Sequence, residues 1–433
     1  MLAEGFDRRS FLLRSAAGLG GFALAECACR SDEFARARAS HACELERSVP
    51  RRGQAKRVIH LMMSGGVSQC DTFDYKPELI KRHGEAFDPG GSIEGLRVAR
   101  ASVMKSPWRF RPHGACGKYV SDLLPHLARR VDDVAFIHSM ITESNIHAPA
   151  ILNQTTGSIS PGFARLGARV ASALAGENEN ASVYVVLTDE RGSALESALK
   201  PGESFAAERP LQNSKHSNTW NRTSEYIHVN SWNDPGVLDL AGESTAAKAL
   251  YGLDDRASET FGRECLIARR LIERGARFVE LRFGAASGRG GINWDSHEDI
   301  RTKYSITARR VDKPVAGLLI DLKALGLLDD TIVVWTTEFG RTPCDQRGER
   351  GRDHNANAFT CWLAGGGIKG GLSYGSSDPW SFGVAEDPVT FGDLHATILH
   401  LLGLNADRRS YPREAAEGRI VEAPGKVIRE LFA

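Results

Sequence analysis

Carboxylates and imidazoles fall together in three short segments of the sequence: Trp294-Asp295-Ser296-His297, Thr336-Thr337-Glu338-Phe339-Gly340 and Arg352-Asp353-His354-Asn355. Each lies in or beside a glycine-rich stretch, and the second directly follows a strongly apolar run. Oxygen and nitrogen donors carried on loops at strand ends are what a hydrolytic metal site requires. Asp295, His297, Glu338, Asp353 and His354 are therefore the candidate ligands of one or two divalent ions, with zinc, calcium and magnesium all open. Asp295 and His297 are separated by one residue, so both point the same way only if the segment is extended. An unpaired carboxylate at Glu338 would be costly to bury, so it has a metal, an arginine or a catalytic task, and Arg341 stands three residues on. Trp294 is placed to wall the pocket.

The nucleophile is less plainly written. Ser64 and Ser68 flank Gly65-Gly66, so either hydroxyl can approach a substrate from a tight turn, and backbone amides there can hold an anion. Asp71 and Asp74 add carboxylates to the same rim. Arg352, with Arg350, Asn355 and Asn357 around Asp353-His354, makes a packet of donors suited to an anion beside a metal. Ser64, Ser68 and Arg352 are thus the candidate catalytic residues. His138, Asn145 and His147 form a second polar group, and His138 or His147 acting as base for Ser68 is a metal-free alternative. His60 reads as a satisfied core histidine, while His395 either faces the site or caps the sheet. The sequence contains no Gly-x-Ser-x-Gly elbow, no Walker-type loop and no dinucleotide fingerprint, which counts against triad acyl hydrolysis, nucleotide-triphosphate hydrolysis and hydride transfer.

These residues need a scaffold, and the apolar pattern supplies one. A short apolar run bounded by glycine reads as a buried parallel strand at residues 57–63, and further strands are read at 134–137, 183–187, 277–282, 331–336 and 359–363. Helical patterns occupy residues 122–130, 261–273, 300–325 and 393–402, with Pro314 a potential kink in the third. Strands alternating with helices predict an α/β three-layer sandwich, a largely parallel central sheet with helices on both faces. In such folds ligands bind beyond the carboxyl ends of the strands, where Ser64-Gly65-Gly66 and Glu338 fall. Residues 190–250 are polar and weakly periodic, and read as an insertion or substrate-side cap in a domain spanning residues 55–433.

The N-terminus reads as a processing segment. Asp7-Arg8-Arg9-Ser10-Phe11-Leu12-Leu13 precedes a short run of small and apolar residues, the pattern of a twin-arginine export signal over residues 1–29. Residues 30–54 look like a polar tether. The apolar run falls short of the ~20 residues that span a bilayer, and no later stretch qualifies. Export to the periplasm or cell surface by the twin-arginine machinery is the expectation. A lipid anchor at Cys27 is disfavoured by Glu26 before it. Fifty-five basic side chains against 54 acidic ones give a formal charge of +1, which offers nothing to a nucleic-acid partner. Cys344 and Cys361 are a possible disulfide in an oxidising compartment, though nothing requires it. Oligomeric state is not legible.

Several segments in one order carry a resemblance. Met63-Ser64-Gly65-Gly66-Val67-Ser68-Gln69-Cys70-Asp71-Thr72-Phe73-Asp74-Tyr75-Lys76-Pro77, His147-Ala148-Pro149-Ala150, Trp294-Asp295-Ser296-His297, Thr337-Glu338-Phe339-Gly340-Arg341-Thr342-Pro343, Gly351-Arg352-Asp353-His354-Asn355 and Leu363-Ala364-Gly365-Gly366-Gly367 resemble the signature of a large family of uncharacterised exported bacterial proteins described as sulfatase-like. That family is grouped with the alkaline phosphatase and sulfatase superfamily. The resemblance implies an alkaline-phosphatase-like fold, one or two metals, and hydrolysis of phosphate or sulfate esters on a small molecule or glycan. Glu338 would stand for a metal-binding aspartate of the superfamily, Phe339 for a histidine it lacks, and Asp295 with His297 for an Asp and His pair. The first strand ends without the expected aspartate, and Cys70 is followed by Asp71-Thr72-Phe73 rather than the context of a formylglycine sulfatase. The rival reading is a non-catalytic exported protein that keeps the fold and binds a glycan or anion.

Overall fold

Eight strands pair into a single sheet. In chain order they are β1 (Arg57–Met63), β2 (Val134–Met140), β3 (Tyr184–Thr188), β4 (Ile227–His228), β5 (Phe278–Phe283), β6 (Thr331–Thr336), β7 (Phe359–Ala364) and β8 (Ser373–Tyr374). Their spatial order is β8-β2-β7-β6-β1-β5-β3-β4. Central β1 pairs in parallel with both β5 and β6. Only β7 runs against its neighbours, β2 and β6. The computed structural model describes residues 53–87, 101–160, 163–174, 184–188, 227–228, 235–284, 292–346, 348, 350–404 and 425–433. The expected export signal, the tether before residue 53 and most of the 190–250 insertion lie outside these residues.

Alternation along the strands explains the layering. Ile59, Leu61 and Met63 of β1 join one apolar cluster, while Val58 joins another, as successive side chains point to opposite faces. The first cluster takes in α3 (Glu259–Glu273) and α4 (Ile300–Ala324) through Leu266, Leu271, Val311 and Leu318. The second takes in α2 (Leu166–Leu174) and α5 (Phe391–Leu401) through Val170, Leu394 and Ile398. On this second side too, α1 (His147–Thr156) packs against α5. The α/β sandwich with a largely parallel sheet is thus the fold observed.

Two elements differ from the sequence reading. The helix expected over 122–130 is instead a short 3-10 segment, Leu127–Asp133, because Pro125 has no N–H to donate within such a helix. Conversely, α4 runs through Pro314 as one 25-residue helix. Cys344 and Cys361 are both buried and free. His60 sits within the sheet with its Nε2 2.7 Å from Thr336 Oγ1.

His395 of α5 does not reach the candidate ligands. Its Nε2 donates to the Gln154 carbonyl of α1 at 3.0 Å. Burial, reinforced by the charge of Arg169, pushes it down to about 3. A depressed folded pKa contributes stability above the unfolded value and loses it as pH falls toward the folded one. Acidifying from about pH 7 to about pH 5 is therefore expected to cost about 2 kcal/mol through this group alone. Urea midpoints at both pH values would show the loss, and His395→Gln should shrink it. An unchanged acid sensitivity would place the effect elsewhere.

Candidate metal centre

The carboxyl ends of β1 and β6 hold the floor of the site. After β1 the chain turns through Gly65, whose φ of +108° suits glycine; a Cβ there would meet the Asp295 nitrogen at 2.4 Å. That close approach brings segment 292–299 across the strand end, tied by Trp294 N donating to Ser64 O at 3.0 Å. After β6, Glu338 accepts from the Gly65 amide at 2.7 Å. Gly340–Arg341 then pairs antiparallel with His354–Asn355, which carries His354 back over the same strand end. A Cβ on Gly351 would meet the His297 carbonyl carbon at 2.0 Å, so only glycine lets these two loops close.

Four side chains converge there. His297 Nε2 lies 2.9 Å and His354 Nε2 3.3 Å from Asp295 Oδ1, and the two imidazole nitrogens are 3.0 Å apart. His147, at the start of α1, brings its Nε2 to 3.5 Å from Asp295 Oδ2. Each outer nitrogen already has an acceptor: Glu338 Oε1 at 2.9 Å from His147 Nδ1, Gln346 Oε1 at 2.6 Å from His297 Nδ1, and the Asn145 carbonyl at 2.7 Å from His354 Nδ1. Acceptors on Nδ1 fix the tautomer, so a neutral ring leaves a bare Nε2 lone pair. His147 Nε2 is buried without a hydrogen-bond partner. Lone pairs facing one another and a carboxylate at such distances repel unless a proton or a metal cation lies among them.

Charge supports the same conclusion. Burial alone would push His147 down, but the neighbouring carboxylates of Asp295 and Glu338, the latter hydrogen-bonded to Nδ1, hold it up at about 9. His354 is lowered, by burial first and then by the charge of Arg341 and His147, against its bond to Asp295. Burial would raise Asp295, yet three imidazoles and Arg341 hold it far below the usual carboxylate range. Glu338 is likewise held down, its burial outweighed by His147 and the Gly65 amide. Held up this far, His147 carries a proton near neutral pH while no ion is bound. With all three histidines deprotonated, as ligation requires, the carboxylates of Asp295, Glu338 and Asp353 exceed the guanidinium of Arg341 by two negative charges. A divalent cation balances that excess.

The sequence candidates are distributed unevenly around this point. Asp295, His297 and His354 meet at it. Glu338 stands behind His147 rather than beside the other donors. Asp353 lies at the exposed edge, its Oδ1 3.8 Å from His297 Nδ1. Two overlapping triplets, His147–Asp295–His354 and His297–Asp353–His354, have donor atoms within 4.8 Å of one another. Arg341, expected near Glu338, instead donates to Asp295 Oδ1 at 2.7 Å and to the Gly66 carbonyl at 2.9 Å. Phe339 stacks on His354 at a centroid distance of 4.3 Å. Trp294 does not wall a pocket: it is fully buried against Tyr304, with ring centroids 4.9 Å apart.

The candidate catalytic residues sit differently. Ser68 donates its hydroxyl to Asp71 Oδ2 at 2.5 Å, not to His138 or His147. Arg352 is fully buried and spends its donors on Asp71 and on the carbonyls of Thr342 and Met104. Both brace the turn after β1. Ser64 is buried at the end of β1, its amide donating to Phe283 O at 3.0 Å. Asp74 pairs with Lys76 at 3.2 Å. His147 is the ligand candidate that sequence reasoning left out of the metal set. Its signal was the polar run around Asn145 immediately before a helix start.

A family model described as "Protein of unknown function (DUF1501)" matches residues 55–230 and 206–432. No curated protein matches the chain. Among solved structures, it is similar to the phosphonate monoester hydrolase SpPMH from Silicibacter pomeroyi, at 13% identity over 87% of this chain and 76% of that one, TM-score 0.38. The C-terminal periplasmic domain of EcEptC from Escherichia coli, in complex with Zn, shares 9% identity over 88% of this chain and 97% of its own, TM-score 0.36. A protein in the alkaline phosphatase superfamily from Vibrio parahaemolyticus shares 12% over 82% and 68%, TM-score 0.36. Likenesses of this size leave the functional reading to the chain's own side chains.

Proposed function

The chain belongs to the family described as protein of unknown function (DUF1501), and from the geometry of its histidine–carboxylate cluster we propose an exported, metal-dependent hydrolase of phosphate or sulfate esters. The observation that carries this reading is the convergence of three imidazole Nε2 atoms on Asp295 while every outer nitrogen is engaged. His147, Asp295, His297 and His354 would hold one divalent ion, with Asp353 at its open edge. Three nitrogen donors favour zinc or another late first-row ion over calcium and magnesium, which take oxygen ligands. When bound, such an ion acts as a Lewis acid toward an ester oxygen and makes water a stronger nucleophile at neutral pH. Glu338 orients His147, Arg341 orients Asp295, and the partly exposed His297 and Asp353 leave an approach for substrate.

A panel of aryl phosphate and sulfate esters tests the reaction. Turnover should vanish on chelation and return with zinc. Metal-loaded protein that cleaves neither class, or turnover that resists the chelator, would end the proposal. Glu338→Gln keeps the shape but weakens the acceptor on His147 Nδ1. Metal affinity, measured by competition with a chromophoric chelator, is expected to fall about 10–100-fold. Unchanged affinity would remove Glu338 from the orienting role.

A second reading has its own observation: Ser68 is tied to Asp71 and Arg352 is fully buried. Two of the three candidate catalytic groups are therefore committed to structure. On that reading the metal centre holds a glycan or anion without cleaving it, and the metal-loaded protein binds saturably with no turnover.

Export rests on Arg8 and Arg9. No helix among the described residues is long and apolar enough to cross a membrane. Replacing both arginines by lysine is expected to leave the unprocessed chain in the cytoplasm of a bacterial host. Fractionation identical to the wild type would rule out this route.

A further inference from the structure

A cavity of about 360 Å³ opens beside the loop that follows Phe73, and none of the proposed metal ligands lines it. Its wall includes Asp74, Lys76, Lys118, Tyr119, His138 and Ser373. That volume falls in the range of small-molecule sites. Two ammonium groups face it, and their partners differ. Lys76 Nζ lies 3.2 Å from Asp74 Oδ1 and donates to the Ser377 carbonyl at 3.1 Å. Asp74 is already engaged, since the hydroxyls of Ser377 and Ser381 also donate to it.

Lys118 is left with neutral company. Its Nζ donates to His138 Nε2 and, at 3.1 Å, to Ser373 Oγ. Burial, together with the charge of Lys118, pushes His138 down to about 3, so the imidazole is an uncharged acceptor near neutral pH. Among the described residues, no carboxylate lies within ion-pair distance of Lys118. Burial and the charge of Lys76, against Asp74 and Cys116, lower its own pKa to about 8. A cation held in a polar cavity without a direct ion-pair partner is stabilised by an arriving anion. Tyr119 is 41% exposed and stacks on Tyr75 at a centroid distance of 4.7 Å, which supplies a flat amphipathic rim beside the charges.

We propose that this cavity is a second binding site, separate from the metal centre, for a small organic molecule bearing an oxyanion. The oxyanion pairs with Lys118 and Lys76, and the body of the molecule lies on Tyr119. The site needs no metal, so it stands or falls independently of the proposed hydrolase.

Competitive lysine labelling tests it on the full chain stripped of metal with a chelator. A limiting amine-acylating ester is applied with inorganic phosphate, inorganic sulfate, acetate or chloride at matched ionic strength, and modified peptides are counted by mass spectrometry. For a site of millimolar affinity, an oxyanion at about 10 mM should slow labelling of Lys118 about tenfold. Labelling of Lys81, whose side chain is 70% exposed, should not change. Protection by phosphate or sulfate alone identifies a phosphorylated or sulfated ligand, and protection by acetate alone a carboxylate. In Lys76→Met, checked for folding by circular dichroism, protection should be lost. Equal labelling of Lys118 under every anion, or full protection in Lys76→Met, would overturn the proposal.

Discussion

Asp295→Ala is expected to abolish metal binding and to lower folding stability together. The carboxylate is the shared neighbour of all three imidazoles and of Arg341. Its removal takes away the only anionic group among the four proposed ligands. Metal affinity should therefore drop by more than the roughly 10–100-fold that loss of an orienting partner costs. The stability effect has a separate cause. Arg341 is fully buried, and without Asp295 its guanidinium keeps only carbonyl partners. Leaving a buried charge without its counter-ion is expected to cost about 3 kcal/mol, somewhat eased by those carbonyls. Urea unfolding of the metal-free proteins removes the ion's contribution from both. Metal-free wild type and variant of equal stability would show that the pair is not an important brace.

The largest purely structural effect is expected at Arg352. Its guanidinium meets Asp71 twice, Nε at 2.7 Å and Nη2 at 3.2 Å, with both side chains fully buried. Arg352→Met leaves Asp71 charged and buried with the Ser68 hydroxyl as its remaining side-chain donor. It also strands the carbonyls of Thr342 and Met104. A loss of about 3–5 kcal/mol is expected, measured by urea unfolding. The double variant Asp71→Asn with Arg352→Met should lose clearly less than the sum of the single losses, since no uncompensated charge remains. Additive losses would mean that the pair is not coupled. If Arg352 instead acts on substrate, the variant would keep its stability and lose turnover.

The contrast between Arg341 and Arg352 shows where sequence reading stops. Strand ends were legible, because runs such as Thr331–Thr336 are β-branched and aromatic and end at a polar turn. That placed Glu338 and the Ser64 turn near one edge of the sheet. Which arginine enters the site was not legible. Both stand in charged, glycine-rich segments, and the direction of a guanidinium follows from how distant loops cross. Here the pairing of Gly340–Arg341 with His354–Asn355 turns Arg341 toward Asp295 and Arg352 toward Asp71. His147 escaped for a similar reason: its partner Glu338 lies 191 residues away. Glu338 itself, buried at a strand end, was recognisable as a group needing a partner. A histidine was as good a partner as a metal, and only tertiary contact distinguishes them. Phe339 looked like a defect in a ligand set, but its ring packs between His147 and His354, at centroid distances of 4.9 and 4.3 Å.

The central claim is that Asp295 and the three histidines around it, His147, His297 and His354, hold one divalent ion, and metal stoichiometry tests it most directly. Elemental analysis of protein purified without chelator should find about one late first-row ion per chain, zinc or a close relative. His354→Ala, prepared in parallel, should carry well below that amount. Wild type with no stoichiometric metal, even after reloading with zinc, or His354→Ala that binds as much as wild type, would contradict the account.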